Sequence, residues 1–205
     1  MAQTTLEEPF PDGTPARTPK RASLDKTRYT SETFMAPEWD GVWTRCWLFA
    51  GLASDIPEAG DYFVFNIGRE SVLVLRDEDA TVRAFYNVCQ HRGNRLFTSE
   101  SGCVAQIACP YHGWTYALDG VLTTIPDEAQ FRPPVDRSTR SLKPVRVELW
   151  AGMVWINMDS AAVSLADYLG PIVENLAAFR FEDMVLAQHQ TVLLHANSKL
   201  SLIHN

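Results

Sequence analysis

The chain has 205 residues, 46% of them apolar and 21% charged, which suits one globular domain with a full core, or one domain and part of another. Its net charge of −7 speaks against nucleic acid, because a phosphate backbone asks for a basic face, and leaves a basic protein partner open. No apolar run reaches the length of a membrane span and the N-terminus lacks a signal-peptide core, so a cytoplasmic chain with no membrane partner is expected.

Residues 1–27 are rich in Pro, Thr, Arg and Lys and show no periodicity, which predicts a mobile N-terminal arm. Between 30 and 47, Phe34, Met35, Trp39, Val42, Trp43 and Trp47 recur at helical spacing, and Pro37 suits a helix first turn. Entry helices packed on a core are expected there rather than an aromatic binding box. Cys46, in the apolar stretch TRCWLFAGL, reads as a small buried hydrophobe.

From 60 to 158 the pattern turns to strands. Residues 60–68, 70–77, 82–88, 104–109, 114–118, 144–149 and 152–159 are short runs rich in β-branched and aromatic residues. Turn signals such as Asp77-Glu78-Asp79 and Leu118-Asp119-Gly120 separate them. Short strands at this spacing predict a small antiparallel sandwich or barrel. Beyond Asp159, Ser164 with Asp167 three residues on marks a helix start. Leu165, Leu169, Ile172, Val173 and Leu176 share one helical face, which Gly170-Pro171 should split. Residues 185–197 read as a strand, and 198–205 as the opening of a further element.

Two clusters carry the chemistry: Cys89-x-His91 and Cys109-x-x-His112, with residues 92–108 between them. Each is expected on a loop after a strand. Two thiolates and two imidazoles take zinc or an iron–sulfur cluster. A zinc finger usually runs Cys, Cys, His, His, whereas here each loop offers one thiolate and one imidazole. If the loops face each other, the thiolates can hold one iron and the imidazoles another, which is the ligation of a Rieske [2Fe–2S] centre. Gly93 and Gly113 let the backbone bend close to the sulfides, and Pro110 stiffens the second loop. A Cys/His nucleophile lacks a third group to orient it. Cys103 has no His at ligand spacing and reads as a free structural cysteine.

With these motifs the chain resembles the large (α) subunits of Rieske non-haem iron oxygenases, the ring-hydroxylating dioxygenases and related monooxygenases and demethylases. The resemblance rests on Trp47, Gly60-Asp61-Tyr62, Asn87-Val88-Cys89-Gln90-His91-Arg92-Gly93, Cys109-Pro110-Tyr111-His112-Gly113-Trp114 and Trp150-Ala151-Gly152. It implies a mainly β fold: a Rieske [2Fe–2S] antiparallel β-sandwich domain with N-terminal helices over 28–159, then the beginning of an α+β catalytic domain over 160–205. It implies that Cys89 and Cys109 hold the buried iron and that His91 and His112 hold the outer one, where electrons leave. Arg92, at a loop tip, would face a docking surface or make an ordinary loop salt bridge. Asn94 and Tyr111 stand where the respiratory type has two further cysteines, and Trp114 stands where that type has a serine donor. Fewer donors to sulfur predict a potential nearer roughly −150 mV than +300 mV.

The family also uses a mononuclear Fe(II) held by an Asp/Glu-x-x-His-x₄-His signature. Residues 195–205, HANSKLSLIHN, resemble its lead-in, with Ser198 where Trp is common. His189, His195 and His204 lack a carboxylate at the family spacing and read as ordinary histidines. Mononuclear iron is therefore expected only in a complete protein. That protein would draw electrons from an NAD(P)H-dependent reductase or ferredoxin and hydroxylate an aromatic or other organic substrate with O₂. It would assemble as a homotrimer or as α3β3. A stand-alone Rieske ferredoxin is the alternative, opposed by the N-terminal helices and the residues after 159. A zinc-bound interaction module is the third reading.

Overall fold

Alternation along Glu70–Arg76 organises the architecture. Successive side chains of a strand point to opposite faces. In this run Val72 and Val74 fill one apolar cluster while Leu73 and Leu75 fill the other, all of them fully buried. A strand buried on both faces must lie at the centre of a layered β structure. The computed structural model describes residues 25–201 and places this strand there.

The strands are β1 (Leu48–Leu52), β2 (Asp61–Ile67), β3 (Glu70–Arg76), β4 (Val82–Tyr86), β5 (Ser101–Cys103), β6 (Ile107–Ala108), β7 (Thr115–Tyr116), β8 (Leu122–Thr124), β9 (Pro144–Trp150) and β10 (Met153–Asn157). One sheet runs β1-β10-β9-β4-β3-β2-β5 and a smaller one β6-β7-β8, with antiparallel neighbours throughout. The β2–β3 hairpin runs in register from Tyr62 opposite Leu75 to Ile67 opposite Glu70. The fold is thus the mainly β antiparallel class expected.

Contacts divide the chain into two units. The larger, Pro37–Thr191, holds both sheets. The smaller comprises the described parts of Met1–Ala36 and Val192–Asn205. Within it the Lys199 ammonium sits 5.7 Å from the Tyr29 ring centre and 5.4 Å from that of Phe34. The expected mobile arm lies outside the described residues as far as residue 24, and so does His204.

Several expectations change. The entry helices α1 (Thr27–Thr30) and α2 (Glu32–Glu38) are followed by a π turn over Trp39–Trp43, and Pro37 sits near the end of α2 rather than in its first turn. The apolar stretch after Trp47 becomes β1. Cys46 is only half-buried and Cys103 is exposed; both are free thiols. The run 104–109 keeps only the two residues of β6. Residues 185–197 form no strand: Val185, Val192, Leu193 and Leu194 are all exposed, and among the described residues no neighbouring strand bonds to the run. The helical face does split. Helix α3 (Leu165–Leu169) is capped by the Ser164 hydroxyl, which accepts from the Asp167 N–H at 3.1 Å, and α4 (Ile172–Leu176) follows Gly170-Pro171. Leu165 is buried, whereas Ile172 is exposed.

Candidate metal centre

The loops after β4 and β6 are built alike. In the first, the Cys89 N–H donates to the Asn94 carbonyl at 2.8 Å and the Gly93 N–H donates to the Cys89 carbonyl at 3.0 Å. In the second, the Cys109 N–H donates to the Trp114 carbonyl at 2.8 Å and the Gly113 N–H donates to the Cys109 carbonyl at 3.0 Å. Each closure needs a left-handed residue four places after the cysteine, and the glycines supply it with φ of 75° at Gly93 and 68° at Gly113. The same ring closed twice explains why the two motifs match.

Burial separates the ligand types. Cys89 and Cys109 are 2% and 3% exposed inside the cluster that also holds Leu96, Ile107, Tyr116 and Leu122. The thiols lie beside each other, and burial first of all pushes the Cys89 thiol up. His91 is half-buried and His112 exposed, their ring centres 4.8 Å apart. The His91 ring stacks on Trp114 at 4.8 Å with 7° between planes, and Phe131 meets both edge-on at 6.3 Å. Burial, then the neighbouring His112, holds His91 below its ordinary value. The rings open on a recess of about 380 Å³ walled by Trp114, Pro126, Asp127, Gln130 and Phe131. All four sequence-predicted residues are therefore gathered at one place, sulfurs inward and imidazoles outward.

Two side chains that the sequence reading left without a role hold this arrangement. Tyr116, fully buried, accepts the Gln90 N–H at 3.0 Å and shares a hydrogen bond with the Cys89 sulfur at 3.3 Å, in which the phenol must be the donor once the sulfur is a thiolate. Burial, and then the sulfur beside it, push the phenol well up and keep it a donor. The available signal was Tyr116 in the apolar run 114–118 directly after the second motif, which marks it for burial beside the loops. Asn87, 3% exposed, spends its amide on the first loop: Nδ2 donates to the Phe97 carbonyl at 2.8 Å and the Ser71 hydroxyl at 3.2 Å, while Oδ1 accepts from the N–H groups of Leu96 and Phe97 at 3.2 and 2.9 Å. A full set of partners makes a buried amide stabilising rather than costly.

The donor set fits a cluster better than a single ion. A single ion would need its four donors converging on one point, whereas the thiols are buried and the imidazoles reach the surface. A [2Fe–2S] unit asks instead for a thiolate pair and an imidazole pair set apart from it. His189 and His195 are exposed and belong to no such group.

Residues 46–145 match the family model of the Rieske [2Fe-2S] domain. Over 183 residues the chain is 33% identical to the glycine betaine monooxygenase oxygenase subunit of Chromohalobacter salexigens, covering 89% of this chain and 41% of that protein. Over 147 residues it is 37% identical to the benzene 1,2-dioxygenase subunit alpha of Pseudomonas putida, covering 72% of this chain and 33% of that protein. The solved quaternary ammonium Rieske monooxygenase CntA, in complex with gamma-butyrobetaine, superposes with a TM-score of 0.82 at 33% identity, over 88% of this chain and 52% of that one. The fold and the two loops thus define a Rieske [2Fe–2S] domain. The chain belongs to the family of Rieske oxygenase large (α) subunits, and it spans between a third and about half of the length of the relatives it matches.

Proposed function

We propose that Cys89 and Cys109 hold one iron of the [2Fe–2S] cluster, that His91 and His112 hold the other, and that the chain relays electrons within an oxygenase large subunit. The observation that carries this is the segregation just described: buried thiols, and paired imidazoles at the surface. A cluster bound there supplies a one-electron store. The protein does the rest. Cys89 and Cys109 give up their protons on binding, which makes loading pH-dependent. Tyr116 donates to the Cys89 sulfur. Trp114 covers one face of the His91 ring, Phe131 meets that ring edge-on, and His112 is left exposed. An electron enters or leaves where the rings reach the surface, because low-dielectric protein surrounds the sulfurs elsewhere.

In the complete protein, one electron at a time comes from an NAD(P)H-dependent reductase or ferredoxin and goes to a mononuclear Fe(II), where O₂ hydroxylates an organic substrate. Assembly as a homotrimer or α3β3 belongs to the same reading. Four free cysteines suit a reducing cytoplasm, and no helix among the described residues is long and apolar enough to cross a membrane. The match to the quaternary ammonium monooxygenase runs over 88% of the chain and that to the benzene dioxygenase subunit over 72%, so quaternary ammonium compounds are the first substrates to test.

The relay is tested by coulometric titration of the cluster-loaded chain. Uptake of one electron per chain at a potential below zero supports it. A redox-silent metal, or a potential well above zero, overturns it. For the complete protein, O₂ uptake coupled to a betaine or carnitine but not to benzene selects the monooxygenase reading, and the reverse selects the dioxygenase.

A further inference from the structure

The buried thiols pose a problem of access. Cys89 and Cys109 are 2% and 3% exposed, so nothing as large as a [2Fe–2S] unit reaches them while the fold is closed. Much of what covers them is held by strand ladders. Residues 126–141, between β8 and β9, belong to no strand. Pro126, Asp127, Gln130 and Phe131 wall the recess onto which both imidazoles open. Phe131 and Val135 pack on the cluster that holds the thiols, and the buried Ile125 and Leu142 anchor the two ends. Within itself the segment is tight. Its two short turns, Glu128–Gln130 and Arg137–Thr139, are joined by a fork in which Arg137 donates from Nε and Nη2 to the Glu128 carboxylate at 2.8 and 2.5 Å. Outward it is held lightly. Among the described residues, the hydrogen bonds that tie 126–141 to the rest of the fold come from Arg137, which donates to the Thr123 carbonyl at 2.8 Å, and from Arg140, which donates to the Gln90 carbonyl at 3.0 Å. Both arginines are exposed. A segment with few buried contacts and exposed hydrogen bonds opens at lower cost than the sheets around it.

We infer that 126–141 is a loading gate: it opens as one body from its buried ends, admits a preassembled [2Fe–2S] cluster to Cys89 and Cys109, and is held shut by Arg137 and Arg140. What the gate admits rests on the relay reading; the gate itself rests on the geometry above. The Glu128–Arg137 fork keeps the two turns together, so opening breaks the two outward arginine bonds and lifts Phe131 and Val135 while the strand ladders stay whole. Closure returns both apolar side chains to the core and brings the Phe131 ring to 6.3 Å from that of His91. The reaction that supplies the cluster is then a ligand exchange with a thiolate-ligated donor, and it balances without redox change. Four bonds from iron to donor thiolates break, and two bonds to cysteine sulfur and two to histidine nitrogen form. The Cys89 and Cys109 protons pass to two of the departing thiolates, and the other two leave as anions.

The test uses the full chain and its own four cysteines. The cluster-free chain is alkylated with iodoacetamide and each cysteine is followed by peptide mass spectrometry. Cys103, exposed, reports the unhindered rate, and Cys46, half-buried and outside the cluster that holds the two ligand thiols, reports general loosening. The gate variant is Arg137→Ala/Arg140→Ala, and Arg69→Ala/Arg180→Ala is the control with the same change of net charge. An exposed ion pair and an exposed hydrogen bond together shift an opening equilibrium about fivefold, so Cys89 and Cys109 should alkylate about fivefold faster in the gate variant, with Cys46 within about twofold of the wild type. Loading from the glutathione-ligated [2Fe–2S] complex, followed by circular dichroism in the visible, and loss of iron to a chelator should both quicken by a similar factor. Equal gains at Cys46, equal gains in the control variant, or no gain at Cys89 and Cys109 would each overturn the inference. So would a wild-type chain whose four cysteines all react at the rate of Cys103. The alkylation arm needs no iron, so a chain that takes up no [2Fe–2S] cluster sinks the relay reading while the gate is still measured.

Discussion

Replacing Tyr116 by Phe removes one hydroxyl from a fully buried ring and nothing else. That hydroxyl lies 3.3 Å from the Cys89 sulfur, to which it must donate once the sulfur is a thiolate ligand, in a site packed among Leu96, Ile107 and Leu122. A hydrogen bond to a charged group contributes about 1.5–3 kcal/mol. Only the part that differs between oxidation states moves the potential. The reduced cluster carries one more negative charge, spread over its sulfurs and irons, so this part is on the order of 1 kcal/mol. For a one-electron couple about 59 mV corresponds to a factor of ten, or roughly 1.4 kcal/mol, so Tyr116→Phe should lower the midpoint by about 40 mV. The variant also leaves the Gln90 N–H without its acceptor, at a stability cost of about 1–2 kcal/mol, so iron content and circular dichroism must be compared alongside. The assay is a redox titration monitored by electron paramagnetic resonance. A midpoint unchanged within about 10 mV, or raised, with the cluster intact would refute the assignment of Tyr116 as a donor to a cluster ligand.

Asn87→Ala strips four hydrogen bonds from the buried start of the first loop and should cost about 3 kcal/mol or more by urea denaturation, with cluster occupancy falling as Cys89 loses its position. The two loop glycines should behave differently. A Cβ at Gly93 meets nothing within 4 Å, so Gly93→Ala should cost only the ~1–2 kcal/mol of left-handed backbone; at Gly113 it would also press on Pro126 at 3.2 Å, and Gly113→Ala should be the more damaging of the pair. Glu128 receives two hydrogen bonds from Arg137, at 2.8 and 2.5 Å, which hold its carboxyl below 4.5. A depressed carboxylate stabilises the fold above its unfolded value and loses that contribution as pH falls through the folded value. The destabilisation caused by Glu128→Gln should therefore be present at about pH 6 and vanish as pH drops below 4.5, as read by denaturation at each pH.

The parts of this molecule that were legible in the sequence are those whose cause is local. Each cluster loop is a short ring closed by its own backbone, so the Cys, His and Gly positions announce it without reference to the rest of the chain. The Val72–Leu75 run is buried on both faces and reads as a strand from composition alone. Strands β5 and β8 were not legible, because three residues carry no period and are set by the neighbour they pair with. Residues 185–197 show the converse, since β-prone composition makes a strand only where another strand offers its hydrogen bonds. The roles of Asn87 and Tyr116 are tertiary. Both lie in or beside the motifs, yet what they do depends on partners brought from Phe97 and Cys89 by the closure of the fold.

The central claim is that one cluster is held by two sulfurs and two imidazole nitrogens of this chain. The most direct measurement is electron–nuclear double resonance on the reduced, cluster-loaded protein with ¹⁵N-labelled histidine, alongside iron and acid-labile sulfide analysis. The account predicts iron and sulfide in equal amounts and two ¹⁵N couplings, one lost in His91→Cys and the other in His112→Cys. A cluster with no nitrogen coupling, or bound zinc without sulfide, would contradict it.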